Sequence, residues 1–122
     1  MSKPLSNSDV IDILKEVLAA MEIVDAGRFR IRAYQNAISA IEASTHSVYD
    51  LWKRDRLQEI PGVGASLAQH LTDLFEKGSV KEFERVKKDL PEGMFALIGI
   101  QGVGAKRAFK LAQAFDLQDR DN

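Results

Sequence analysis

Hydrophobic residues recur at helical spacing along most of the chain. Between residues 8 and 25, apolar side chains return every three or four positions, which is typical of a helix with one buried face. Ser8 is predicted to cap the start of this helix, because a serine hydroxyl accepts a hydrogen bond from the unpaired N–H groups of a first turn. The dipeptide Ala26-Gly27 is predicted to end it.

Six further segments are predicted to be helices. The second helix covers about residues 28–44, and Ser47 is predicted to cap a short third helix that carries Leu51 and Trp52. No segment alternates apolar and polar residues as a half-buried strand does, so the predicted fold class is all-α, a compact multi-helix domain. The apolar face of the second helix is predicted to contain Phe29, Ala33, Tyr34, Ala37, Ile38 and Ile41. The other predicted helices cover about residues 65–77, 80–90, 92–98 and 105–116.

Composition narrows the class of protein. The 122 residues match the size of one domain, and the 45% hydrophobic share is enough for a core. No apolar run is long enough to span a bilayer, no export signal follows the first residues, and cysteine is absent. We therefore expect a cytoplasmic protein without membrane contact. The net charge of −1 argues against nucleic-acid binding by bulk charge, so any such binding must rest on local charge and backbone geometry.

A twelve-residue segment occurs twice. Residues 60–71 read IPGVGASLAQHL, and residues 100–111, which lie 40 positions later, read IQGVGAKRAFKL. Seven of the twelve positions are identical, including both glycines and the valine between them. A short helix is predicted before each copy and a longer one after it, so the repeat predicts two helix–turn–helix units.

Each copy places a Gly-Val-Gly turn immediately before a helix. The first glycine permits a dihedral angle that a side chain would forbid, and the second lets another surface approach the main chain. The first N–H groups of the next helix have no intrahelical partner and lie at the positive end of its dipole, so they attract an anion. One copy alone would indicate only a tight turn; two copies favour a phosphate diester, bound without distinguishing bases. The valines are predicted to pack inward. The predicted contacts are Gly62, Val63, Gly64 and Ala65 in the first copy and Gly102, Val103, Gly104 and Ala105 in the second.

Basic residues accompany these turns. Lys106, Arg107 and Lys110 follow the second turn closely, whereas the corresponding residues of the first copy are neutral. We therefore predict that the second turn contributes more electrostatic binding than the first. Another basic group lies at the start of the second predicted helix, where a positive charge is unfavourable because the helix dipole is also positive there. An anionic partner is therefore expected, and we favour phosphate over plain solvation. This group consists of Arg28, Arg30 and Arg32.

These segments resemble the helix-hairpin-helix motif, and their arrangement is similar to the N-terminal region of family X DNA polymerases, particularly the bacterial members. The resemblance covers Ser8 to Leu117 and rests on RFRIRAYQNA at residues 28–37, EIPGVG at 59–64 and IQGVG at 100–104. It implies a four-helix lyase-like subdomain at residues 1–79, with the first hairpin at about 56–76. A second hairpin module would follow at residues 80–117, and a flexible tail at 118–122.

The resemblance also implies functional roles. The hairpin amides would contact DNA phosphates, often with a monovalent cation, K⁺ or Na⁺, and no other cofactor is implied. Arg30 would hold a 5′-phosphate at a gap, and Tyr34 would join the phosphate contacts beside the lyase pocket. The carbonyls that would bind the cation belong to Gln58, Ile60 and Val63 in the first hairpin and to Ile98, Ile100 and Val103 in the second.

One position departs from the family's pattern. Lyase-competent members form a Schiff base through a lysine in the helix after the first hairpin; here that position is His70, and Ser66 replaces another lysine. An imidazole cannot form the iminium that a primary amine forms with a sugar aldehyde. No catalytic residue is therefore predicted. The palm domain of a polymerase, with its metal-binding carboxylates, is not in this sequence.

The favoured hypothesis is a monomer that binds DNA at gaps, nicks or ends during DNA repair, independently of sequence and without catalysis. It would be associated with the nucleoid when bound, with a repair or polymerase protein as a further partner. The start at Met1 and the charged C-terminus favour a complete small protein. One alternative is the N-terminal lyase and DNA-binding fragment of a family X polymerase. A second alternative is a protein-interaction module, which the near-zero net charge keeps open.

Overall fold

A computed structural model describes residues 5–88, 90–98 and 104–120, excepting the side chains of residues 92, 96, 98 and 115–120. All regular structure in these residues is helical, as predicted, and none of the helices they form is both long and apolar enough to cross a membrane. The helices are α1 (Asn7–Val24), α2 (Arg28–Ala43), α3 (Val48–Lys53), α4 (Ala65–Lys77), α5 (Lys81–Lys87), α6 (Glu92–Ile98) and α7 (Ala105–Arg120), with a 3₁₀ turn (Leu57–Glu59) before α4.

The N-cap of α1 is Ser6, and the prediction of Ser8 was wrong. The Ser6 hydroxyl accepts a hydrogen bond from the Asp9 N–H at 3.1 Å, and the Asp9 carboxylate accepts one from the Ser6 N–H at 3.0 Å. This reciprocal pair is a capping box, which needs a polar acceptor three residues after the cap. The residue three positions after Ser8 is Ile11, whose side chain cannot accept a hydrogen bond from the Ser8 N–H. The helix therefore begins at Ser6, where both bonds can form.

The other helix boundaries lie close to those predicted. The Ser47 hydroxyl accepts a hydrogen bond from the Asp50 N–H at 3.3 Å, which confirms the predicted cap of α3. Asp25, in the left-handed conformation with φ of 55°, ends α1, and Gly27 precedes the first residue of α2. The helix α5 is shorter than predicted, whereas α7 continues beyond its predicted end near residue 116 to Arg120.

Among the described residues, two groups of buried side chains hold the helices together. The larger group joins α1 through α5, and within it Leu14, Ile41 and Leu71 are at most 1% exposed. The helix α5 enters this group through Phe83, which is 3% exposed. The helix α1 contributes to both groups, so it connects the helices around the first hairpin to the α6–α7 pair. The smaller group consists of Ala19, Met94, Ala108 and Ala112.

Phe29 does not belong to the buried face of α2, where it was predicted. Its side chain is 91% exposed. The turn before α4 packs on α2 at Ala33 and Ala37, beyond Phe29 along the helix, so the ring has no cover. The prediction was wrong because the apolar strip of α2 is longer than the surface packed against it. The buried residues of this helix are Tyr34, Ala37, Ile38 and Ile41.

Candidate nucleic-acid interface

Buried side chains hold the first Gly-Val-Gly turn in place. Leu57, Ile60 and Val63 are between 5% and 7% exposed and lie in the larger buried group. The inward packing predicted for Val63 is therefore confirmed. Within the turn, the Ile60 carbonyl accepts a hydrogen bond from the Val63 N–H at 3.0 Å. The turn is thus fixed by the core on one side, which leaves its other side to solvent.

Gly62 is required by the packing of the turn against α2. Its φ is 88°, a conformation that residues with a side chain rarely adopt. A β-carbon here would lie 2.7 Å from the backbone nitrogen of Ala37 and 2.8 Å from the carbonyl oxygen of Ala33. Both atoms belong to the helix backbone and cannot move cheaply. Gly62 therefore serves the fold, by letting the turn lie directly on α2.

Neither packing nor backbone conformation requires a glycine at position 64. Its φ of −91° is ordinary, and a β-carbon would meet no atom within 4 Å. It is the exposed N-cap of α4, and its carbonyl accepts the first helical hydrogen bond, from the Ala68 N–H at 2.9 Å. Among the described residues, the N–H groups of Gly64, Ala65 and Ser66 have no hydrogen-bond acceptor. An exposed helix start with unpaired amides is a suitable site for an oxyanion.

The second turn is described only from Gly104 onward. Gly102, Val103 and the predicted cation ligand Ile100 lie outside the described residues. Gly104 is exposed, and a β-carbon there would meet nothing within 4 Å. Its carbonyl accepts from the Ala108 N–H at 2.9 Å, which repeats the bond that begins α4. Lys106, Arg107 and Lys110 are exposed on the first turns of α7, and Ala105 is half-buried.

The three arginines of α2 have different surroundings. Arg28 and Arg32 are exposed and form no ion pair with any described residue. Arg30 instead forms an ion pair with Glu82 of α5, with 3.0 Å between Nη2 and Oε1. The exposed ring of Phe29 therefore lies near two arginines that have no ion pair within the described part of the chain.

Tyr34 lies in the core beside the Arg30–Glu82 pair. It is 5% exposed, and its ring meets the edge of Phe83 with 6.3 Å between centroids. Its hydroxyl is buried and has no hydrogen-bond partner among the described residues. Burial raises the pKa of Tyr34 to about 12; the Arg30 charge opposes this increase and the Glu82 charge adds to it. The predicted contact of Tyr34 with phosphate would require DNA to reach a covered hydroxyl.

His70 lies at the predicted lyase position, on the rim of a depression between α4 and α5. Its ring packs edge-on against Phe83, with 5.6 Å between centroids. Lys77 and Lys81 line the same depression and bring primary amines to its wall. No group of three histidine or acidic residues close enough to hold a metal ion is present in the described part of the chain.

The sequence pattern of the helix-hairpin-helix domain family matches residues 5–80, which is more than half of the chain. The chain belongs to the helix-hairpin-helix domain family. The matched range contains α1 to α4 and the turn at Gly62–Gly64. The domain is also 23% identical, over 118 residues, to the DNA polymerase/3'-5' exonuclease PolX of Bacillus subtilis (strain 168). The aligned region is 97% of this chain and 20% of that protein, so the chain spans about a fifth of this relative's length.

Two features of this helix-hairpin-helix domain were missed from the sequence. The exposure of Phe29 had a weak signal, because arginine stands on both sides of it in the chain. The pairing of Arg30 with Glu82 had none, because the two residues are 52 positions apart and meet only when α5 packs beside α2.

Proposed function

We propose that this helix-hairpin-helix domain binds DNA through the phosphate backbone, without reading base sequence and without catalysing a reaction. The observation that carries the proposal is the exposed start of α4, where the amides of Gly64, Ala65 and Ser66 have no partner among the described residues. Phosphate is common to every sequence, so amide contacts confer affinity but no base preference. Similarity to a DNA polymerase supports DNA as the polymer.

The second hairpin supplies charge that the first lacks. Lys106, Arg107 and Lys110 are exposed beside Gly104. If the amides at the start of α7 bind one phosphate of a DNA strand, these side chains can pair with the neighbouring phosphates. This local charge explains how a chain of net charge −1 binds a polyanion. A K⁺ or Na⁺ ion on the carbonyls of the first hairpin would add to the positive field, although the Ile60 carbonyl already accepts one hydrogen bond.

Phe29 supports a preference for gaps, nicks or ends, and hence a role in DNA repair. The hairpin turn packs on α2 at Ala33, which is four residues after Phe29. The two residues are therefore separated by about 6 Å along the helix axis. An aromatic ring stacks on the face of a base, and the interior of a duplex leaves no such face open. A DNA strand held at the hairpin would bring an unstacked base at a gap or end within reach of this ring.

The test is a binding titration of gapped, nicked, blunt and single-stranded DNA at two salt concentrations. We expect tighter binding to gapped or nicked DNA than to intact duplex, affinities that do not change with scrambled sequence, and weaker binding at high salt. Gly64→Leu and Gly104→Leu should fold normally, since both positions have open space, and should lower affinity severalfold. Equal affinity of these variants and the wild type would contradict the proposal, and failure of the folded wild type to bind DNA would favour a protein-interaction role.

The second candidate function is the lyase and DNA-binding part of a family X polymerase, which is supported by the similarity of 97% of this chain to the DNA polymerase/3'-5' exonuclease PolX. The lysines beside His70 would then have to supply the amine. Borohydride trapping on a 5′-deoxyribose phosphate substrate distinguishes the two candidates. We expect no trapped adduct, because the position of the Schiff-base lysine is an imidazole. A trapped adduct that disappears in Lys77→Arg or Lys81→Arg would establish the lyase function.

A further inference from the structure

Arg30 differs from its two neighbours because its charge is already engaged. Its side chain is 45% exposed, so solvent and ligands can reach it, yet its guanidinium donates a hydrogen bond of 3.0 Å to Glu82. Arg28 and Arg32 form no such pair with the described residues. The guanidinium of one of the three arginines at the start of α2 is therefore already engaged by a carboxylate of the protein.

The carboxylate of Glu82 is held between two arginines. Arg85, one turn along α5, donates from Nε to Oε2 at 3.0 Å and from Nη2 to Oε1 at 2.6 Å. The Glu82 side chain is only 23% exposed. The hydrogen bond from Arg85, reinforced by that from Arg30, lowers the pKa of Glu82 to about 2, although partial burial opposes the change. The carboxylate is therefore ionised at any physiological pH.

Glu82 binds Arg30 with the same chemistry that a DNA phosphate would use. Both groups are anions with two oxygens that accept charge-assisted hydrogen bonds from a guanidinium. We propose that Glu82 competes with DNA phosphate for Arg30 and thereby holds the affinity for DNA below the value that the arginines of α2 would otherwise give. This inference rests on the proposed DNA binding. It identifies Glu82 as a residue that sets affinity without contacting DNA.

Glu82→Gln tests the competition, because it removes the charge and keeps the size of the side chain. We expect affinity for gapped DNA to rise severalfold and the slope of log K against log[salt] to steepen by about one unit, as for one additional phosphate bound. Glu84→Gln is the matched control: Glu84 lies on the same helix, is exposed, and has no ion pair among the described residues. It should produce only the small gain that removal of any negative charge gives.

Three further variants separate release of Arg30 from other effects. In the background of Glu82→Gln, adding Arg30→Gln should remove the gain, and it should cost more affinity there than the same substitution costs in the wild type. If the gain came from loosening of α5, the double variant would keep it. Glu82→Asp keeps the net charge but is one methylene shorter, so it should also raise affinity, and it serves as the test if Glu82→Gln does not fold.

The outcomes distinguish this inference from the proposed function. Equal affinities for Glu82→Gln and Glu84→Gln, or a gain that persists without Arg30, would overturn the competition while DNA binding itself stands. Absence of DNA binding in the folded wild type and in every variant would overturn the proposed function as well.

Discussion

Gly62 and Gly64 show how the same residue type meets two different requirements within one turn. At Gly62 the backbone conformation and the contact with α2 leave no room for a β-carbon. At Gly64 the conformation suits any residue and the surrounding space is open. The first glycine is thus required by the folded chain, whereas the second is not, and under the proposed function it lets a phosphate approach the backbone.

This difference predicts unequal effects of the same substitution. Gly62→Ala should lower the free energy of unfolding by about 1–3 kcal/mol, because the left-handed conformation strains alanine and the new methyl group contacts the α2 backbone. Gly64→Ala replaces a favoured N-cap residue by a poorer one without a clash, so it should lower the free energy of unfolding by less than about 1 kcal/mol. Urea unfolding followed by circular dichroism measures both values. Equal stability of the two variants would contradict the assigned packing of the turn on α2.

Tyr34 predicts a second effect at the residue scale. Because its buried hydroxyl has no partner among the described residues, Tyr34→Phe should leave stability unchanged or raise it by about 1 kcal/mol. The pKa of this tyrosine is raised from 10.0 to about 12, so the unfolded chain loses the phenol proton first. The stability of the fold with a neutral phenol at Tyr34 is therefore unaffected by this group below pH 10, and it falls as the pH rises towards 12.

Unfolding of the wild type and Tyr34→Phe at about pH 9 and about pH 11 measures this contribution, since other titrating groups are common to both proteins. The stability difference should shift in favour of the phenylalanine variant at the higher pH. A difference that does not change with pH would mean that the phenol is accessible to solvent.

At the scale of single helices, the start of α1 gives a test with its own control. Ser6→Ala removes the hydroxyl that accepts from the Asp9 N–H and should lower the free energy of unfolding by about 1 kcal/mol. Ser8→Ala, two residues further on, removes an exposed hydroxyl within the helix and should cost less than about 0.5 kcal/mol. Thermal unfolding of both variants measures the difference. A larger loss of stability at Ser8 would restore the cap predicted from the sequence.

Local signals made the helices predictable, whereas contacts between helices were not. The bounds of α4 follow from Gly64 before it and Gly78, with φ of 76°, after it. In α1, by contrast, two serines compete for the cap, and the choice depends on which has an acceptor three residues later. The exposure of Phe29 and the partner of Arg30 depend on where the hairpin turn and α5 lie against α2, and no periodicity within α2 contains that information.

For the whole molecule, the distribution of charge matters more than its sum. The chain has a net charge of −1, yet exposed cations are present on the first turns of both α2 and α7. Around the first hairpin, the α4 start has no basic residue in its first turn, and Arg30 is engaged by Glu82. Most of the salt-dependent binding should therefore come from the second hairpin, and the amides of the first should contribute binding that depends less on salt.

Charge neutralisation at α7 tests this division between the hairpins. The triple variant Lys106→Gln, Arg107→Gln, Lys110→Gln should reduce the salt slope by up to about three units, one for each phosphate that is no longer neutralised. The control removes three charges at exposed residues outside both glycine turns, Lys15→Gln, Arg54→Gln and Lys88→Gln, and should change the slope by less than about one unit. Gly64→Leu should weaken binding while leaving the slope nearly unchanged, because amides carry no net charge and release few counterions. Equal slopes for both triple variants would mean that DNA responds to the total charge of the chain, and the second hairpin would then have no special electrostatic role.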